Sequence, residues 1–67
     1  METKQLNNYK IEFYSEEEWF GTGITGNIYH LYHGKVSDIS EELKYLLLNI
    51  DNELLTKCPY IVITKVK

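Results

Sequence analysis

The 67-residue chain has no arginine, one cysteine and no long apolar run, and each shortage removes a class of protein. With no arginine, no lysine block and a formal net charge of −3, it does not fit a direct binder of nucleic acid phosphates. A single cysteine cannot close an internal disulfide. Cys58, next to Pro59, reads as a small core residue rather than a reactive thiol. No run reaches the length of a signal-peptide core or a membrane span, so the expected location is cytoplasmic, with no membrane contact. Internal repeats and low-complexity segments are also missing. One domain fits this length, and its limited core makes it marginal unless association reinforces it.

What the chain does have is a long apolar pattern from Val36 to Pro59. Ile39, Leu43, Leu46, Leu47, Ile50 and Leu54 fall in a sector about 100° wide when placed on a helix. That stripe predicts a single long helix lying on a small sheet. Asp38 with Glu41 fits a capping box, Ser37 being an alternative cap, and Pro59 stops the helix. A break near Asn49–Asn52, where weak helix formers gather, is the alternative. Ile50 and Leu54 keep the upstream phase, which favours continuity. On the far side Glu41, Tyr45, Leu48, Asn52 and Leu55 fall within about 80° of one another. One sheet and one helix leave nothing to cover that second stripe, so it is expected to meet a partner, either a second copy or another protein.

The remaining segments read as strands. Residues 1–8 are polar and expected to be a flexible tail, with the domain spanning 9–67. Tyr9 to Tyr14 alternates as a half-buried strand. Ser15 to Glu18 suits a hairpin loop, Trp19 to Thr25 a second strand, Gly26-Asn27 a turn and Ile28 to His33 a third strand. Tyr60 to Val66 is the strongest strand signal, and its unbroken apolar start predicts a central position. The expected fold is therefore α+β in the order βββαβ. It has one antiparallel or mixed four-stranded sheet, packed on one face by the single long helix.

Motifs that carry chemistry are thin. Gly21-Thr22-Gly23-Ile24-Thr25-Gly26 has the G-x-G-x-x-G spacing but leads to a turn and a strand, not to a phosphate-binding helix. His30 and His33, three apart on a strand, are expected on opposite faces and so unable to share a metal. No second cysteine or acidic pair completes a ligand set, so neither metal nor cofactor is expected. Glu16, Glu17 and Glu18 form an acidic loop tip without a pocket. The chain reads as a non-enzyme.

The segment Tyr29 to Tyr45, through Tyr29, Tyr32-His33, Gly34-Lys35, Ser37, Glu42 and Tyr45, resembles part of a known family. It is similar to the strand-to-helix segment of the small uracil-DNA glycosylase inhibitors made by phages of the phi29 group. In that family a homodimer mimics DNA, and a pocket with aromatic walls traps a leucine of the glycosylase. The resemblance covers about a quarter of the chain and implies functional roles for Glu42 and Tyr45. Where the family carries an aromatic residue before the glutamate, this chain has Glu41. A looser similarity, of architecture only, is to HicB-type antitoxins, which bind a toxin protein.

The residues point to a small acidic protein-binding module, and the resemblance implies a phage-type inhibitor that occupies the DNA-binding site of a host enzyme, with uracil-DNA glycosylase as the candidate target. An antitoxin-like or other interaction module without DNA mimicry is the alternative. The expected contact residues are Glu41, Glu42, Tyr45, Leu48, Asn52 and Leu55, with Glu16, Glu17, Glu18 and Tyr32. A host protein and a homodimer partner are both expected, in the cytoplasm, which is that of the host bacterium if the chain is phage-encoded.

Overall fold

Alternation of side chains builds the sheet, and it is clearest in the strand Tyr9–Tyr14 (β2), where Ile11 and Phe13 are fully buried. The computed structural model describes residues 2–22 and 30–66, with Thr22 described in its backbone only. Among these residues lie four strands: β1 (Glu2–Leu6), β2, β3 (His30–Lys35) and β4 (Tyr60–Lys65). Their spatial order is β1-β2-β4-β3, and every neighbouring pair is antiparallel. β4 is central, as its apolar run predicts, and Tyr60, Ile61, Val62 and Ile63 are all buried because both of its faces are covered.

The expected βββαβ order is wrong in three places. Residues 2–6 do not form a tail. They pair with β2 as an edge strand, with Glu2 opposite Phe13 and Leu6 opposite Tyr9. Backbone pairing at an edge needs no apolar side chains, so four of the five residues stay exposed and leave no trace in the hydrophobic pattern. Asn7 turns the chain at φ 54, a conformation asparagine tolerates.

The expected acidic loop and second strand are instead a helix, α1 (Glu16–Thr22). Ser15 and Glu18 close a capping box: the Ser15 N–H donates to Glu18 Oε1 at 2.9 Å, and the Glu18 N–H to Ser15 Oγ at 3.2 Å. Three glutamates in the first turn suit the positive end of the helix dipole. The rest of the expected second strand, the Gly26-Asn27 turn and the first two residues of the expected third strand lie outside the described residues.

The single long helix is the third correction. Val36–Asp38 forms a 3₁₀ turn, Glu41–Lys44 a short helix (α2), Tyr45–Leu47 a second 3₁₀ turn, and Asn52–Lys57 a further helix (α3). The cap of α2 is Ser40, not Asp38 or Ser37, and its side chain makes no capping hydrogen bond. The break falls at 48–51, where the Asp51 carboxylate accepts from the Glu53 N–H at 3.0 Å and starts α3 anew. α3 stops at Lys57, ahead of Pro59. The segment connects neighbouring antiparallel strands, so it is not a crossover to a parallel one.

The inner stripe keeps its role despite the breaks. Ile39, Leu46 and Leu47 are buried against Ile11, Phe13, Ile61 and Ile63, and Leu43, Ile50 and Leu54 pack onto the same cluster. Each fully buried aliphatic or phenyl side chain contributes roughly 1.5–3 kcal/mol, which makes this cluster the main source of stability. Alternation along β4 sends Tyr60 and Val62 to the other face. There Trp19 of α1 stacks on Tyr60, with ring centroids 4.9 Å apart and planes at 12°. Tyr14 meets Trp19 edge-on at 5.7 Å. The sheet is thus covered on one face by the broken helical segment and partly on the other by α1.

Candidate docking surface

Leu46 and Leu47 anchor one 3₁₀ turn into the core, and this drives their neighbours Tyr45 and Leu48 outward. Leu48 is 77% exposed and Tyr45 56%, two large apolar side chains almost adjacent in sequence. Glu41 and Glu42, on the α2 turn just before them, are exposed as well. Glu41 forms a surface ion pair with Lys44 at 3.1 Å, which leaves Glu42 as the less encumbered carboxylate of the two. Hydrogen bonding with the Tyr9 hydroxyl, then desolvation, raises the pKa of Tyr45.

The structure splits the other expected contact residues. Asn52 opens α3 and is exposed, whereas Leu55 turns inward and packs on the core. Leu55 and Glu16 share a groove of about 380 Å³ that runs past Lys35, Val36, Ser37, Pro59 and Tyr60. This groove joins α1 to the helical segment around the strand ends. Glu16, Glu17 and Glu18 belong to α1, which packs on the opposite face of the sheet from Tyr45 and Leu48. The two acidic groups therefore do not form one continuous surface. Tyr32 packs against the core, and its hydroxyl donates to the Lys35 carbonyl at 2.5 Å. Burial, then the charge of Asp38, raises its pKa.

Two features escaped the sequence reading. One is the packing of α1, which places Phe20 edge-on to Tyr60 at 5.6 Å while leaving Phe20 70% exposed. The other is a register shift between His30 and Tyr32. His30 lies opposite Thr64 and His33 opposite Val62, so the irregularity puts both histidines on one face instead of opposite faces. Their ring centroids are 5.7 Å apart, and His33 stacks on Trp19 at 6.4 Å. His30 Nδ1 is buried and has no hydrogen-bond partner among the described residues. Among the described residues no group of three or more His, Cys, Asp or Glu side chains is placed to hold a metal ion. Nor is any helix among them long and apolar enough to cross a membrane. Comparison with protein-family models, with curated proteins and with solved structures gave no match for this chain.

Proposed function

We propose that this chain is a protein-binding module whose docking surface is Tyr45 and Leu48 with the α2 carboxylates beside them. The observation that carries the reading is the outward pair itself. Leu48 is among the most exposed large apolar residues of the chain, yet it sits on a turn fixed by two buried leucines. A rigid apolar anchor next to exposed carboxylates fits a basic cleft with an apolar recess, as on an enzyme that grips DNA. In this reading the module occupies the DNA-binding site of a host enzyme, with uracil-DNA glycosylase as the candidate target. The work is binding, not turnover.

Magnitudes rank the contacts. Burying Leu48 is worth roughly 1.5–3 kcal/mol, whereas a rim charge contributes about 0–1 kcal/mol and acts mainly on encounter. Leu48→Glu should therefore weaken binding by about tenfold or more, and Glu42→Gln by less. The test adds the protein stoichiometrically to a glycosylase acting on a uracil-containing oligonucleotide. Uracil release should stop, Leu48→Glu should restore it, and the association rate should fall as salt rises. Undiminished uracil release at excess protein removes the glycosylase as target, and relief of a toxin's growth arrest would favour the antitoxin-like alternative.

A further inference from the structure

The sheet has two edges, and they differ. β3 carries the register shift between His30 and Tyr32 and a glycine, Gly34, at φ 145. Such irregularities blunt an edge against further pairing. β1 has neither, and among the described residues only β2 pairs with it. It contains no proline and no glycine, and four of its five residues are exposed. A regular edge strand presents a row of backbone donors and acceptors to another strand, and the charges of Glu2 and Lys4 restrict which strand can pair with it.

We propose that β1 pairs antiparallel with β1 of a second copy about a two-fold axis at Thr3, making one eight-stranded sheet. Backbone parity restricts the register first. The Val66 N–H donates to the Asn8 carbonyl at 2.8 Å, so Asn8 faces β4 and Tyr9 faces β1; Leu6, opposite Tyr9, therefore directs its backbone groups at β2. Alternation gives Lys4 and Glu2 the same direction, and leaves the N–H and C=O of Thr3 and Gln5 pointing outward. A second β1 must therefore pair in a register that sets outward-facing residues opposite one another, with the two-fold axis at Thr3, at Lys4 or at Gln5.

Charge then selects among the permitted registers. Setting Thr3 opposite Gln5 of the second copy puts Lys4 directly against Lys4, a repulsive pair at close range, and setting Gln5 opposite Gln5 puts Lys4 against Leu6 and forms no ion pair. Setting Thr3 opposite Thr3 puts Glu2 against Lys4 and Lys4 against Glu2, two cross-strand ion pairs. The two-fold axis of such a pairing stands perpendicular to the sheet, so both helical layers lie on the same face. Beside β1 on that face is a groove of about 350 Å³, floored by Leu6, Ile50 and Leu54 and rimmed by Glu2, Lys4 and Asp51. The dimer sets the two grooves facing each other across the junction. This association does not depend on the docking reading, because it uses neither Tyr45 nor Leu48.

Sedimentation equilibrium on the full chain tests the dimer and its register. A concentration-dependent monomer–dimer equilibrium is expected. Thr3→Pro should abolish it without unfolding the protein, because the N–H it removes points away from β2. Lys4→Glu turns both ion pairs into repulsions and should raise the dissociation constant about tenfold or more. The double exchange Glu2→Lys with Lys4→Glu should restore the wild-type value to within about threefold. Circular dichroism checks that each variant stays folded. A monomer at millimolar protein, or a dimer that Leu48→Glu disrupts and Thr3→Pro leaves intact, overturns the proposal.

Discussion

Gly34 shows what a single residue decides in this chain. At φ 145 it holds a backbone conformation that side-chain-bearing residues rarely adopt, and an added Cβ would lie 3.2 Å from the Tyr32 hydroxyl. That hydroxyl is held by the Lys35 carbonyl, so the ring cannot simply swing away. Gly34→Ala should then cost about 1–3 kcal/mol, read as a lower urea midpoint at unchanged slope. A midpoint equal to wild type would show that the strand end relaxes freely. In the sequence Gly34 looks like an ordinary turn residue before a helix, because φ is invisible in composition. The histidines hide in the same way. Their spacing predicts opposite faces, and only the register shift after His30 brings them together. A one-residue slip reverses facing, and no neighbouring residue announced it.

Among the elements, α1 was readable in principle and the helical break only in part. Ser15 followed by Glu18, then Trp19 and Phe20, is a helix-start signature. The alternation of Phe20, Thr22 and Ile24 between glycines competes with it and points to a strand. The capping box prevails in the structure because it satisfies first-turn amides, and because Trp19 then finds Tyr60. Ser15→Ala should destabilise α1 by about 1 kcal/mol. The readout is Trp19, whose near-ultraviolet circular dichroism should diminish as its stacking loosens, while Glu17→Gln leaves it unchanged. An unaltered signal in Ser15→Ala would mean that ring packing alone holds α1. From 36 to 59, periodicity located the buried face correctly and misjudged continuity. The core requires Ile50 and Leu54 inward on either side of the break, so phase survives an interruption that Asp51 imposes through its own cap. The edge strand β1 was illegible for a different reason: its stabilisation is backbone pairing, which polar residues supply as well as apolar ones.

Across the whole molecule, tyrosines with raised pKa values stand on both sides of the sheet, and this makes the fold sensitive to base. Tyr14 lies on the α1 side, where burial and then the charges of Glu12 and Glu18 raise its pKa. Tyr32 lies on the helical side, where burial and then Asp38 act in the same direction. Tyr45 lies in the helical segment, where hydrogen bonding with Tyr9 of β2 and then desolvation act in the same direction. All three groups are neutral when folded and become charged on losing their proton. A folded pKa above the unfolded one means that the unfolded chain ionises first as pH rises. The contribution is fully present below the ordinary tyrosine value of about 10 and is lost as pH climbs through the raised folded values. Stability measured by urea should therefore be level from neutral pH to about 9 and fall above about 10. Absorbance at the phenolate band should show Tyr14, Tyr32 and Tyr45 ionising later in the folded protein than in urea. Tyr45→Phe keeps the ring and removes the ionisable group, so its stability should fall less steeply above pH 10 than that of wild type. Identical phenolate titrations in folded and unfolded protein, with stability flat through pH 11, would show that these hydroxyls are solvated.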